Sequence, residues 1–203
     1  MLTTTKVSLR SKLHEAAKRF RGDTAGAAAI EFAFIAPLLI TMYLGTMEIS
    51  QGVEMNKKVG RSASVIGDLI AQNDIIAVAD VQDIMKIGKA ILQPYNRSIP
   101  TVIITAIQID GALAPKVAWS RKAVGTTYTR PFVVNAGVTV PANLLIANTF
   151  LIKVESQLEY LPITSWTINK NKTGGQGAYA AIDMAETYYL RPRIADDVQC
   201  TGC

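Results

Sequence analysis

Positions 25–47 read AGAAAIEFAFIAPLLITMYLGTM, 23 residues with a single charge, Glu31. As a helix rising about 1.5 Å per residue the run extends about 34 Å, enough to cross the roughly 30 Å hydrocarbon layer of a bilayer. Its uncharged part, Phe32 to Met47, would extend only about 24 Å and fall short, so Glu31 is expected within the apolar layer or at its edge. A buried helix of a soluble core is the competing reading, and the basic stretch that precedes the run favours a span. Pro37 lies inside it and should kink or loosen the helix. Behind the run, Val53, Val59, Ala63, Ile66 and Ile70 recur near helical spacing, which predicts an amphipathic continuation to about Gln72. After Asn73 and Asp74 a second helix is predicted, with Asp80 as N-cap and Val81, Ile84, Met85, Gly88, Ile91 and Leu92 on one face, ending at Pro94.

Beyond Pro100 the period falls to two in TVIITAIQID, PKVAWSRK, TFLIKVESQLEYLP and AYAAIDMAETYYLR, each bounded by Gly, Pro or Asn. In the third run Phe150, Ile152, Val154, Leu158 and Tyr160 face one way and Lys153, Glu155, Gln157 and Glu159 the other, as in a sheet packed on helix by one face and wet on the other. TYTRPFVVNAGVTVPANLL reads as an irregular loop. The fold class expected is α+β: a long N-terminal helix, transmembrane and then amphipathic, a second short helix, and a small antiparallel sheet of three to four strands.

Charge refines this picture. The chain of 203 residues carries a formal +5. Six basic residues (Lys6, Arg10, Lys12, Lys18, Arg19, Arg21) against Glu15 and Asp23 put +4 of it before Gly26, and 15 basic against 14 acidic residues leave +1 for the rest. The positive-inside rule then places the N-terminus in the cytoplasm and everything after Ser50 outside. A nearly neutral domain without a Lys/Arg stripe lacks the footprint that phosphate-backbone binding needs, so no nucleic-acid partner is expected. No small-residue cleavage site of the secretory kind follows the run, where the chain reads MEISQGVEMNKK.

Candidate chemistry is sparse. The one histidine, His14, lies in the basic front segment, and both cysteines, Cys200 and Cys203, lie in the last four residues. A Ser-His-Asp or Cys-His arrangement needs an imidazole beside its nucleophile, and zinc sites usually need several converging His or Cys ligands. No catalytic residues, cofactor or metal are expected. Asp80 with Asp83, and Asp196-Asp197, lack the alternating spacing of a calcium loop. Cys200-Thr-Gly-Cys203 has redox-motif spacing, but no helix follows to activate the first thiolate, and a structural disulfide, intrachain or to a partner, is expected in an oxidising compartment. Asn96-Arg97-Ser98 and Asn171-Lys172-Thr173 match glycosylation acceptors and are expected to be plain loops. Trp119, Trp166, Tyr188 and Tyr189 could form a partner surface or a core, which burial decides.

At the front of the apolar run stand Gly26-Ala27-Ala28-Ala29-Ile30-Glu31-Phe32. This junction resembles the cleavage site of type IV prepilins, and GAAAIEFAFIAPLLITMYLGTMEISQG is similar to the TadE-like family of minor pilins and pseudopilins of the tight-adherence (Tad) pilus system. The segments VAWSR, LEYLP and YYLRPR resemble downstream patterns of that family more loosely. The resemblance implies a membrane-embedded aspartyl prepilin peptidase cutting between Gly26 and Ala27. It also implies that Glu31, fifth in the mature chain and followed by Phe32, partners the N-terminal amine of a neighbouring subunit. The organisation expected is a cytoplasmic leader at 1–26, a transmembrane helix at 27–50 and an extracytoplasmic domain at 51–203, in a bacterial inner membrane with the domain periplasmic. The implied partners are the prepilin peptidase, other pilin or pseudopilin subunits and Tad inner-membrane assembly proteins. Two further functions compete: an unprocessed membrane-anchored adaptor, and a membrane-tethered hydrolase using Asp183 with Glu186.

Overall fold

The computed structural model describes residues 9–22, 26–162 and 181–203. The chain divides into two compact units, Met1–Met47 and Glu48–Cys203. In the first, a helix α1 (Leu9–Gly22), which the sequence pattern did not single out, precedes the start of α2 (Ala27–Ala71). The apolar positions of α2 within this unit are exposed all round, Ala36 alone being half-buried. Such a surface is stable only against lipid or other apolar helices. Helix α2 runs through Pro37 without interruption. The hydroxyls of Thr41 and Thr46 donate to the carbonyls of Pro37 and Met42, at 2.7 and 2.8 Å, so neither is left unsatisfied in the apolar stretch.

In the second unit α2 is one-sided. Met55, Val59, Gly60, Ser62, Ala63, Ile66, Gly67, Ile70 and Ala71 are buried, an apolar face at helical spacing. Val53, expected on that face, is exposed: two residues before buried Met55, it stands about 160° round the helix from it. After β1 (Ile75–Ala77), α3 (Val78–Ile91) buries Val81, Met85 and Gly88. Its N-cap is Ala77, without a side-chain cap, and Asp80 stands instead in the first turn, where its charge still favours the positive helix end.

The sheet has five strands, more than the three to four expected, in the order β4-β3-β2-β5-β6: β2 (Thr101–Ile109), β3 (Pro115–Val124), β4 (Thr127–Thr129), β5 (Thr149–Tyr160) and β6 (Ile182–Leu190), every pair antiparallel. The α+β class and the antiparallel sheet agree with the sequence pattern. The extra strand, β4, is only three residues of a stretch that reads as loop, too short for periodicity to register. A two-stranded parallel sheet, β1 with β7 (Gln199–Thr201), was also not legible in the sequence.

Val102, Ile104 and Ala106 of β2, Trp119 and Ala123 of β3, and Phe150, Ile152 and Val154 of β5 form one core with Ala63, Ile66 and Ile70 of α2 and Val81 and Met85 of α3. Alternation along β2 turns Ile107 and Ile109 to the opposite face, where they form a second core with Leu151, Val140 and half-buried Val138, Leu144 and Leu145, and the register shift at Ala106/Ile107 lies on the β3 side of the strand. The supposed irregular loop thus roofs part of the outer face, which is not wholly wet. Segment 135–138 is tied to the free side of β3 by Asn135 N–H to Val117 O at 2.8 Å and Val117 N–H to Ala136 O at 2.9 Å. The β2–β3 hairpin closes on Asp110, whose carboxylate accepts the N–H groups of Ala112 and Ala114, both at 2.9 Å, and the Lys116 ammonium at 3.1 Å. The Ala114 N–H first, then Lys116, hold its carboxyl below the ordinary range.

Small residues bring the helices close. A Cβ added to Gly88 would stand 2.5 Å from Ile66 Cδ1 and 2.8 Å from Ser62 Oγ, so α3 crosses α2 at a separation only glycine permits. An exposed helical Gly→Ala change gains about 1 kcal/mol of helix propensity. Here Gly88→Val is expected to lose about 2 kcal/mol, because Ile66 is fully buried and has nowhere to go. Urea unfolding of the detergent-solubilised chain followed by far-UV circular dichroism checks it; an unchanged midpoint would mean the helices separate freely.

Candidate functional site

The proposed processing junction lies in the first unit, at the start of α2. Gly26 stands in a turn, its carbonyl accepts the first helical hydrogen bond from Ile30 N–H at 3.1 Å, and helix begins at Ala27. A Cβ built on Gly26 meets nothing within 4 Å. Glu31 and Phe32 lie on the first turns of α2, both exposed, with apolar neighbours Ile30, Phe34 and Ile35. The junction is therefore an accessible glycine followed by a helix whose charged group stands one turn and a half into an apolar surface.

Comparison with known proteins bears on this segment. Residues 26–61 match the family described as TadE-like protein. The TadE-like segment begins at Gly26, covers the apolar run and continues to Arg61 in the second unit. The match makes this segment similar to TadE-like proteins, and its exposed apolar helix is compatible with a membrane anchor. It does not reach VAWSR, LEYLP or YYLRPR. No curated protein and no solved structure matches the chain.

Beyond the TadE-like segment the structure explains two of those strings physically. In VAWSR, Trp119 is 5 % exposed and its indole N–H donates to Val198 O at 2.7 Å, while Arg121 donates to Gly202 O at 2.6 Å. Burial first, and the charge of Arg130, lower the Arg121 pKa. Two same-face side chains of β3 thus hold the C-terminal stretch in which Cys200 and Cys203 form a disulfide, Cα to Cα 5.5 Å. Cys203 is buried against the main core and Gly202 turns back at φ +84°. Further ties come from Gln199 N–H to Asp74 O at 2.8 Å, Arg193 N–H to Ala71 O at 2.9 Å, and an Arg193–Asp68 ion pair at 2.5 Å. Trp119 is core, not a partner surface.

In LEYLP, Tyr160 is fully enclosed and its hydroxyl donates to Glu48 at 2.8 Å, the first residue of the second unit. Its ring stacks on Tyr95, centroids 5.5 Å apart. Tyr95 in turn donates to Glu159 O at 3.2 Å and accepts the Leu161 N–H at 2.6 Å. Arg97 lies 6.0 Å above the Tyr95 ring centre and donates to Leu161 O at 3.0 Å. Beside this stack a cleft of about 310 Å³ opens among Gln51, Glu54, Lys58, Asn96, Arg97 and Tyr95. Sequence reasoning missed it, since Tyr95 and Arg97 sit in the loop after Pro94 and meet β5 only through pairing 64 residues apart. Asn96 and Arg97 of the string Asn96-Arg97-Ser98 are thus part of the cleft wall.

The candidate hydrolytic pair is not assembled. Asp183 and Glu186 are three apart on β6 and so point to opposite faces; Glu186 lies on the α2 side with Met184 and Tyr188, near Gly60, and Asp183 opposite Glu159. Tyr188 leans toward the same helix, 40 % exposed, and Tyr189 packs by the outer core. Among the described residues no three His, Cys, Asp or Glu side chains converge as a metal site. Asp83 is paired with Lys86 at 2.7 Å. Trp166 and Asn171-Lys172-Thr173 lie outside the described residues.

Burial first, then the hydrogen bond to Glu48 and its charge, push the Tyr160 pKa up to about 12. A folded-state value above the unfolded value of about 10 means that the stabilisation is complete below pH 10 and is lost as pH rises toward 12. The thermal midpoint of the detergent-solubilised chain should fall over that window, and Tyr160→Phe should flatten the fall while lowering stability at pH 7 by about 1 kcal/mol. Parallel pH profiles for the two proteins would refute the Glu48 contact.

Proposed function

We propose that the chain is a minor pilin or pseudopilin of a Tad-type pilus assembly or secretion system, processed by a prepilin peptidase after Gly26 and assembled through its N-terminal helix. It acts by binding and not by catalysis. The reading rests on one coincidence: the TadE-like match begins at an exposed glycine, and the apolar run behind that glycine, up to Met47, carries a single carboxylate, Glu31, five positions on.

Each part of the junction has a physical task in that role. A protease must draw the scissile backbone into extended form, and glycine, without a Cβ, resists this least while being a poor helix former. The cut between Gly26 and Ala27 leaves an α-ammonium at the head of the apolar helix. A carboxylate in the apolar layer costs about 2.5 to 3.5 kcal/mol at the bilayer centre and less near its edge, so Glu31 gains by meeting the ammonium of a neighbouring subunit. Phe32 and the aliphatic positions around it then pack laterally, helix against helix. Six cationic residues ahead of Gly26 hold the leader in the cytoplasm and set the domain from Gln51 onward on the periplasmic side of the inner membrane. Other pilin-type subunits and Tad inner-membrane proteins are the partners of this assembly.

The reading is tested by the N-terminal mass of the membrane-extracted chain, expressed with and without a prepilin peptidase. A species beginning at Ala27 is expected only with the peptidase, and Gly26→Val should abolish it. A Cβ built at Gly26 meets nothing within 4 Å, so no packing contact opposes a side chain there. Persistence of residues 1–26 in both preparations would replace this reading with an uncleaved membrane-anchored adaptor.

A further inference from the structure

We propose that the cleft beside the Tyr95–Tyr160 stack binds the phosphodiester headgroup of a phospholipid, taken from the membrane that the apolar run enters; the inference rests on the reading of that run as a span.

Three observations point to a phosphate-bearing ligand. Arg97 is held in place before any ligand arrives: it donates to Leu161 O at 3.0 Å and lies over the Tyr95 ring at 6.0 Å. Tyr95 is itself fixed by two hydrogen bonds and by stacking on a buried tyrosine. A guanidinium has five N–H donors in a planar fork, and with one turned to Leu161 the remainder can address two oxygens of one phosphate. Lys58 supplies a second cation on the same cleft, its ammonium donating to Gln93 O and to Glu54, both at 3.0 Å, with a third N–H remaining. The cleft, at about 310 Å³, admits a headgroup while a whole lipid stays outside. Because these groups are ordered by protein contacts, binding forfeits little side-chain freedom.

The source of the phosphate follows from chain connectivity. Gln51, on the cleft wall, is the fourth residue after Met47, and Lys58 lies two turns further along α2. Residues 47–58 are continuous helix, so at about 1.5 Å per residue Gln51 lies about 6 Å and Lys58 about 16 Å along α2 from Met47, and the cleft wall starts within the headgroup layer of a bilayer crossed by residues 27–47 and extends outward from it. A cation pair at that depth meets lipid phosphate at a local concentration that free phosphate does not approach. Glu54, also on the cleft, faces whatever the phosphodiester carries beyond its phosphorus, and an ethanolamine ammonium suits it.

The test is native mass spectrometry of the full chain in phosphate-free detergent micelles, titrated with phosphatidylethanolamine or phosphatidylglycerol. One retained phospholipid is expected. Arg97→Gln should weaken retention about tenfold, Lys58→Gln less, and Arg97→Lys, which keeps the charge and loses the fork, should fall between wild type and Arg97→Gln. Equal retention by wild type and Arg97→Gln overturns the proposal. So does displacement of the lipid by millimolar inorganic phosphate, which would assign the cleft to a soluble phosphate. Vesicle flotation with alkaline extraction separates this from the underlying reading: wild type and Arg97→Gln should both remain with the bilayer, and release of both would remove the span itself.

Discussion

One helix has to serve two surroundings. Over Ala27–Met47 the side chains of α2 are, Glu31 apart, uncharged and mostly apolar, and all but Ala36 are exposed; from Met55 onward the same helix buries a single face of small and aliphatic residues under a sheet. The second task constrains the domain. Gly60 leaves room for Tyr188 and Glu186 of β6, Gly67 admits Leu190, and Gly88 of α3 lets Ile66 and Ser62 approach. Close helix–sheet and helix–helix packing at these points stabilises a domain whose remaining elements are short. Placing β-branched and aromatic residues of β2, β3 and β5 on the other side of that contact completes the main core.

A second constraint acts at the boundary between those surroundings. Glu48 is an acid directly behind the apolar run, and an unpartnered carboxylate there would be costly. Tyr160, enclosed at the end of β5, gives it a hydrogen bond at 2.8 Å. That pairing orders Tyr160, which orders Tyr95, which orders Arg97, so a cleft with a preset cation follows from satisfying one acid. At the opposite end of the fold Trp119 and Arg121 perform a similar service for backbone carbonyls of the C-terminal stretch, and the Cys200–Cys203 disulfide closes the turn they grip.

The junction proposed for processing and the folded sheet lie in different parts of the chain. The junction at Gly26 and Glu31 needs little beyond an exposed glycine and an apolar helix, and the match to TadE-like proteins covers that region and stops at Arg61. The sheet, the second helix and the C-terminal stretch are where this chain can carry specificity for its own surroundings.

Much was legible without coordinates. The apolar run, the amphipathic continuation to Ala71, the buried face of α3 and the inward side of β5 follow from periodicity, because burying one face of a regular element forces apolar residues to recur at that element's own spacing. The TadE-like segment was legible for a different reason, since its resemblance lies in the order of residues along the chain and needs no tertiary partner. What tertiary structure decided were contacts between residues far apart in sequence: the parallel β1–β7 pair, the roof of 135–145 over Ile107 and Leu151, the exposure of Val53, the separation of Asp183 from Glu186 across a strand, and the Glu48–Tyr160–Tyr95–Arg97 chain. A side chain's pattern records that it is buried or exposed, but not against what; Trp119 and Arg97 acquire their roles only when β3 and the loop after Pro94 meet segments 79 and 64 residues away.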